Sequence, residues 1–481
     1  MLQNTDQTSV VTVTAPASKS LSHRYLIGAA LAGGESTVRH TLESADLECT
    51  RAILCGAGAR MEALDASGNG AGNNSGGWRV QGLGGAPRGG RGRPLDCDVR
   101  ESGTTCRLLT AVLAAGEGLF RIHGSERMHE RPIGDLTDAL TRLGAGVAFE
   151  GKPGCPPLLL QAHGLNPALA DGIIHLGMDM SSQYFSGLLL AAPFCATPLS
   201  VELAGRKAVS WPYVGLTLQC LTDFGISFSV ETRKNEAAPW QALPEGDWRD
   251  LAEARPGCLR VTVRPGAYRP GDYTVEGDWS GASYFLAAGA LGRRAVRVRG
   301  LRADSLQGDR AMLGILQKMG ARLEVEPDAV TVYPSELHGV ALDMGSCPDL
   351  VPTVAVLAAF AKGSTRISNV AHLRIKESDR INAPATELAK TGVTVDELSD
   401  GMLVSGTGGT GGMGGRLRNR PAAPRLPEGA TLSAHNDHRM AMSLALLGLR
   451  DPGLRVRERL DDPTVVRKSF PRFWDVWSRL Q

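Results

Sequence analysis

YLIGAALAGGESTVRH (Tyr25–His40) carries a pattern that returns along the whole chain. Small apolar residues at helical spacing stop at a glycine pair, and a short alternating run then reads as a strand. The same passage recurs at RLLTAVLAAGEGLFRIHG (Arg107–Gly124), GLLLAAPFCATPLSVELAG (Gly187–Gly205), YFLAAGALGRRAVRVRG (Tyr284–Gly300), AVLAAFAKGSTRISNV (Ala355–Val370) and AMSLALLGLRDPGLRVRE (Ala441–Glu458). The spacing, roughly 70 to 100 residues, marks six copies of one supersecondary unit. Five copies continue into a second helix that ends at glycine before another strand, as in ALTRLGAGVAFE (Ala139–Glu150), LTLQCLTDFGISFSV (Leu216–Val230) and AMLGILQKMGARLEVE (Ala311–Glu326). The sixth runs out at FWDVWSRLQ.

A unit of two helices and a few short strands has an apolar face that it cannot bury alone, so the copies must pack on one another. At 481 residues the chain exceeds what one core usually serves. Three units per domain give an α/β (α+β) protein of two similar domains. The charged, proline-punctuated stretch between Thr232 and Pro270 is the expected boundary, and the chain is expected to cross a second time near Ala15–Ser18. The domains are therefore drawn as residues 17–269, and 1–16 with 270–481. The glycine-dense stretch Gly68–Gly92 is expected to be a flexible surface insertion, because fixing so many glycines costs too much entropy.

Lys and Arg number 52 against 50 Asp and Glu, which argues against a protein that coats nucleic acid; the RGGRGR run (Arg88–Arg93) alone points that way. Nine dispersed cysteines without a CxxC fit reduced thiols rather than a disulfide framework. The N-terminal residues read as a short tail entering a strand, and apolar runs such as Gly187–Leu199 are too short to span a bilayer. A cytoplasmic protein with no membrane or nucleic-acid partner is expected.

The chemistry gathers at seven polar segments that are expected to lead at once into small apolar helices. They are SKSLSHR (Ser18–Arg24), ESGTTCR (Glu101–Arg107), SSQ (Ser181–Gln183), EGDWSGAS (Glu276–Ser283), PDLVPT (Pro348–Thr353), RIKESDR (Arg374–Arg380) and HNDHRMAMS (His435–Ser443). A helix start offers unpaired N–H groups and a favourable dipole to an anion. A set of them joined to Lys and Arg suggests a small, multiply anionic substrate. Lys19, Ser20 and Arg24 could hold a carboxylate or phosphate; the absence of GxxxxGK[ST] removes a nucleotide implication. Ser102, Gly103, Thr104 and Arg107, then Arg127 and Arg131, add hydroxyls, bare backbone and guanidinium groups. Capping accounts for one serine of Ser181 and Ser182, which leaves hydrogen-bonding capacity over. Asp349 is either a helix cap or a base, and Lys376 beside Glu377 is either a proton-transfer pair or part of a surface salt-bridge cluster. His435 and His438 lack a third metal ligand at standard spacing, and Cys106 could as well pack inward as serve as a nucleophile.

SKSLSHR, SGTTCR, ERMHERP, SSQYFSGLLLAAP, EGDWSGASYFLAA, RIKESDR, NDHRMAM and RKSFP, in this order, resemble the 3-phosphoshikimate 1-carboxyvinyltransferase (EPSP synthase) family over nearly the full chain. The resemblance implies two domains of three βαβαββ units each, an inside-out α/β barrel architecture with the ligand cleft between the domains. It implies transfer of the carboxyvinyl group of phosphoenolpyruvate to the 5-hydroxyl of shikimate 3-phosphate through a tetrahedral intermediate, with glyphosate a candidate competitor. It places Lys19, Ser20, Arg24, Ser181, Ser182, Gln183, Ser210, Tyr213, Asp349, His372 and Lys376 at shikimate 3-phosphate. Lys19, Gly103, Arg127, Gln183, Arg380, Arg439 and Lys468 fall to phosphoenolpyruvate, Arg127 being preferred to Arg131 for its ERM context. Asp349 would take the hydroxyl proton, and Glu377, helped by Lys19 and His438, would protonate and later deprotonate the enolpyruvyl carbon. No metal or organic cofactor is implied, and a monomer is expected.

The chain departs from the family pattern at Glu101, His372 and His23, where asparagine is usual or frequent. The rival readings are the sister carboxyvinyltransferase acting on UDP-N-acetylglucosamine, and a non-catalytic anion-binding protein. The sister enzyme has a Lys-Asn pair near its N-terminus; here Lys19 is followed by Ser20.

Overall fold

The computed structural model describes residues 10–64, 76–251, 253–407, 423–451 and 453–480. The chain forms two compact units, Lys19–Val275 and Met1–Ser18 with Glu276–Gln481.

Each of the five sheets among the described residues is built to one plan. A leading strand runs parallel to a strand that follows a helix, and the rest of the ladder is antiparallel. In the unit Lys19–Val275 the parallel pairs are Asp272–Thr274 with Glu35–Arg39, Leu95–Asp98 with Glu117–His123, and Ile173–Met178 with Leu199–Ala208. In the other unit they are Val11–Thr14 with Val296–Arg299, and Ala341–Asp343 with Ser364–Ser368. No sheet closes into a barrel among the described residues. Helices fill the cores: in Lys19–Leu31 every residue from Leu21 onward is buried, and Val351–Phe360 is buried except for its last residue. Small residues make this close packing feasible. At Gly28 a Cβ would lie 2.8 Å from the Phe224 ring, and at Gly187 it would lie 2.9 Å from the carbonyl oxygen of Arg107. Glycine is needed at both because helices meet there with no room for a side chain.

Three expectations change. Asp272–Thr274 registers against Thr37–Arg39, so Lys19–Val275 extends past residue 269, where the second domain was expected to begin. Gly77–Gln81, inside the supposed glycine-rich loop, is an inner strand between Glu35–Arg39 and Arg60–Ala63. Its WRV alternation buries Val80 fully, and a Cβ on Gly77 would stand 2.6 Å from the carbonyl oxygen of Val38, so glycine here serves a ladder. Residues 68–75 of that stretch lie outside the described residues. In the sixth copy, GLRVRE is not a strand: Val456–Arg459 is a helical turn, and one parallel bridge, Leu432 to Leu460, stands where a sheet was expected. Phe470, Phe473 and Trp477 pack on Phe285 and cover that core with aromatic rings.

Candidate active site

In the unit Lys19–Val275, four helix starts are tied to one another. Arg24 is the main tie. Its guanidinium is 1% exposed and donates to Thr217 Oγ1 (2.8 Å), the Ser20 carbonyl (2.8 Å), the Tyr213 carbonyl (2.8 Å) and Ser186 Oγ (3.4 Å). These contacts join the first turns of Lys19–Leu31 and Trp211–Asp223 to the helix Gln183–Ala191, and they use four of the five guanidinium N–H groups. Burial lowers the Arg24 pKa to about 10, so the group stays charged at neutral pH. The fourth start is joined through Gln183, whose amide donates to Thr104 Oγ1 (2.9 Å) and accepts from Arg107 (3.0 Å).

At these starts several hydroxyls face no internal partner. Ser181 Oγ accepts from the Gln183 N–H at 3.2 Å, whereas Ser182 makes no side-chain cap bond. Ser210, in the left-handed region at φ 56, likewise does not cap its helix. Unlike Ser181, the hydroxyls of Ser20, Ser182 and Ser210 have no hydrogen bond among the described residues. Lys19 pairs with Asp46. At Gly103 an added Cβ would lie 2.6 Å from Arg131 Nη2 and 2.9 Å from Arg107 Nη1, so two guanidinium groups close over bare backbone at a helix start.

The unit containing Glu276–Gln481 supplies a charged cluster of its own. Arg380, 2% exposed, donates to Asp349 Oδ1 (2.9 Å) and through Nε to Asp437 (2.7 Å), and it pairs with Glu377 (2.9 Å). Arg439 donates to the other Asp349 oxygen at 2.6 Å. Asp437 also caps the helix His438–Leu444 and accepts from Ser378. Burial raises the Asp349 pKa, but Arg439, Arg380 and Lys376 outweigh it and hold the carboxyl well below the usual range. Lys468 donates to the carbonyl (2.7 Å) and side chain (3.0 Å) of Asn436, in a loop where His435 and Asn436 both have positive φ. His438 is buried beside Asp437.

The family profile for EPSP synthase (3-phosphoshikimate 1-carboxyvinyltransferase) matches residues 4–249 and 252–477. A 3-phosphoshikimate 1-carboxyvinyltransferase from Methanosphaerula palustris is 37% identical over 466 residues, 96% of this chain and 95% of that one. One from Thiobacillus denitrificans is 37% identical over 473 residues, 98% and 96% of the two chains. The chain belongs to the EPSP synthase family. Two solved structures share the fold: EPSP synthase from Acinetobacter baumannii (TM-score 0.67, 24% identity, 98% of this chain and 95% of that chain) and the enolpyruvyl transferase NikO from Streptomyces tendae (TM-score 0.67, 18% identity, 98% and 94%).

Within this EPSP synthase family member the structure separates residues that the sequence left together. Arg127, preferred from its ERM context, is half-buried and pairs with Glu130 at 2.7 Å, while Arg131 is 5% exposed and lies over Gly103. The RIKESDR cluster also divides: Arg374 reaches Asp379 and Glu397, both at 3.0 Å, and Arg380 turns inward to Asp349 and Asp437. Glu377 is paired with Arg380. His372 is buried in the short turn Ala371–Ile375, and Lys376 follows it as that turn's cap. At the departure Glu101, it is the backbone carbonyl that accepts from Arg131, at 3.3 Å. Cys106 is buried, and burial pushes its thiol up to about 11 despite Arg107 and Arg131, so it supplies no thiolate at neutral pH.

Sequence reasoning missed Asp46, Asp309 and Asp437. Asp309 accepts from Ser280, and burial together with the charge of Asp349 raises its pKa to about 7. Asp437 was quoted within its motif but given no role.

Proposed function

We propose that this chain transfers the carboxyvinyl group of phosphoenolpyruvate to the 5-hydroxyl of shikimate 3-phosphate, releasing phosphate, and that its two units divide the work. The observation that carries the reading is the set of hydroxyls of Ser20, Ser182 and Ser210, left open on helix starts that Arg24 ties to one another. Building hydroxyl donors beside cations and leaving them without internal acceptors suits a phosphorylated, hydroxylated ligand. Lys19, Ser181, Gln183, Tyr213, His372 and Lys376 complete the shikimate 3-phosphate contacts in this reading. Arg24 contributes through its one remaining N–H and by holding the helix starts.

Phosphoenolpyruvate falls to Lys19, Gly103, Arg127, Gln183, Arg380, Arg439 and Lys468, and Arg131, which covers Gly103, joins them. Asp349 is the base for the 5-hydroxyl. A carboxylate gripped by two arginines is a weak base, so this role requires Arg380 and Arg439 to pass to the carboxylate of phosphoenolpyruvate, which releases Asp349 as the substrate arrives. The hydroxyl oxygen then bonds to C2 while Glu377, with Lys19 and His438 beside the reaction, gives a proton to C3. Loss of phosphate from C2, carrying away the proton that Asp349 took from the hydroxyl, and return of a C3 proton to Glu377 complete the enol ether, so protons balance over the two steps. Cationic side chains hold the two anionic substrates in register against their repulsion. The enzyme is read as a cytoplasmic monomer acting on free small molecules without a metal or organic cofactor.

The test is phosphate release by the metal-stripped protein with phosphoenolpyruvate and either shikimate 3-phosphate or UDP-N-acetylglucosamine. Release with shikimate 3-phosphate alone, with formation of the enol ether, is expected. Release only with the UDP-sugar overturns the acceptor, and release with neither from folded protein overturns the reaction.

A further inference from the structure

A buried chain of hydroxyls in the unit Lys19–Val275 has a direction, and that direction fixes a histidine. His23 lies fully buried on the helix Lys19–Leu31. Its Nδ1 is 2.8 Å from Thr50 Oγ1, and Thr50 Oγ1 is 2.8 Å from Thr105 Oγ1. Thr105 Oγ1 is in turn 2.6 Å from Ser102 Oγ and 3.1 Å from the backbone carbonyl of Asp46. Each hydroxyl has one proton to give. A carbonyl can only accept, so the arrangement that serves Asp46 sends the Thr105 proton there and has Thr50 and Ser102 both donate to Thr105; it is also the one that leaves the partnerless Nε2 of His23 without a hydrogen to place. Thr50, its single proton committed, can only accept from the imidazole. Nδ1 therefore carries the hydrogen, and Nε2 is bare. Nε2 is buried without a hydrogen bond among the described residues. The ring is neutral, since burial, then Lys19 and Arg24, hold its pKa well below the usual imidazole range.

We infer that His23 is a positioning residue: as a neutral Nδ1–H donor it starts a one-way hydrogen-bond chain that holds the helix bearing Lys19 in register with the Ser102–Thr104 turn. The chain ends at Asp46, whose carboxylate holds Lys19, and it passes Ser102, whose Oγ accepts from the Thr105 N–H at 3.2 Å and so caps the helix that Gly103 begins. Lys19 and Gly103 thus share one buried polar frame, built from the starts of Lys19–Leu31, Ala45–Gly56 and Gly103–Ala114. The inference rests on the assignment of Lys19 and Gly103 to phosphoenolpyruvate. It also gives a job to a position where the family frequently has asparagine, which can donate a hydrogen bond as well.

Two measurements test it. In steady-state kinetics, His23→Leu removes the donor and should raise KM for phosphoenolpyruvate roughly tenfold, the effect of losing about one buried hydrogen bond. KM for shikimate 3-phosphate should stay within about twofold. His23→Asn should recover most of the loss, and Thr105→Val should add little to His23→Leu because both break one chain. Equal rises in both KM values, no recovery by asparagine, or additive effects would overturn the positioning role. The second measurement needs no disruptive variant. The 15N resonances of the His23 ring in the wild type, assigned by difference from His23→Asn, should show a protonated Nδ1 and a bare Nε2 from about pH 5 to about pH 8. A protonated Nε2, or titration in that range, overturns the inference. Failure of the wild type to use phosphoenolpyruvate would instead sink the parent assignment while leaving the ring spectrum as stated.

Discussion

Gly103→Ala isolates the anion-binding contact from the fold. The added methyl would lie 2.6 Å from Arg131 Nη2, 2.8 Å from Arg131 Cζ and 2.9 Å from Arg107 Nη1. Relaxed contacts need about 3.5 Å or more, so the Arg131 guanidinium must retreat by nearly an ångström. Gly103 begins the helix Gly103–Ala114 with Ser102 as its cap, and alanine is a better helix former, so the backbone loses nothing. What moves is the far end of two arginines. Displacing them from an anion weakens one or two charge-assisted hydrogen bonds, about 1.5 to 3 kcal/mol together. At roughly 1.4 kcal/mol per tenfold, KM for phosphoenolpyruvate should rise about 10-fold to 100-fold. KM for shikimate 3-phosphate and the melting temperature should hardly change. Steady-state kinetics with each substrate varied, beside a thermal melt, gives all three quantities. An unchanged KM for phosphoenolpyruvate in a folded variant refutes the placement of that substrate at Gly103, and a large fall in melting temperature refutes the claim that only flexible ends are displaced.

Arg127→Ala and Arg131→Ala should each raise KM for phosphoenolpyruvate at least about tenfold, Arg131 because its guanidinium lies over Gly103; a folded variant within about twofold of the wild type removes that arginine from the site. Asp349→Asn and Glu377→Gln should each lose turnover by about a hundredfold or more with shikimate 3-phosphate affinity nearly kept, as read by single-turnover kinetics and titration calorimetry; near-normal turnover removes that residue from the chemistry. Asp309, raised to about 7, holds more protons folded than unfolded between its ordinary range near 4 and about 7. Its contribution to stability therefore falls as pH rises through that window. Asp309→Asn should gain melting temperature relative to the wild type between pH 5 and pH 8, and parallel pH curves would contradict a raised pKa. Arg24→Met removes a donor from the Thr217 hydroxyl and from the Ser20 and Tyr213 carbonyls, and should cost about 2 to 4 kcal/mol in urea unfolding; a loss below about 0.5 kcal/mol would show that the helix starts hold without it.

The parts of this protein that could be read from its sequence are those whose physics is local. A small-residue helix, a glycine stop and an alternating strand are each specified within a few residues, so the repeat was visible. Where a local rule had a competitor, it failed. The glycine count around Gly77 predicts a flexible insertion, yet WRV alternates as a strand does, and the close approach of the Val38 carbonyl makes glycine the residue that a ladder requires. GLRVRE alternates like a strand, but Val456–Arg459 is a helical turn, and among the described residues a bridge from Leu432 to Leu460 forms beside it.

The site divides in the same way. Helix starts rich in Ser, Lys and Arg were legible because capping and dipole effects act within one turn. Which charges pair was not, because partners lie far apart in the chain: Arg380 with Asp437 at a separation of 57 residues, Ser280 with Asp309 at 29. Arg127 and Arg131 show the limit most sharply. They stand on either side of the short turn Met128–Glu130, with matching chemistry and different surroundings, one paired with Glu130 and one buried over Gly103. The selecting feature is the missing side chain at Gly103, which leaves room for a guanidinium against a helix start. Sequence displays that absence as one glycine among 59, and it becomes chemistry only when the fold brings Arg131 to it.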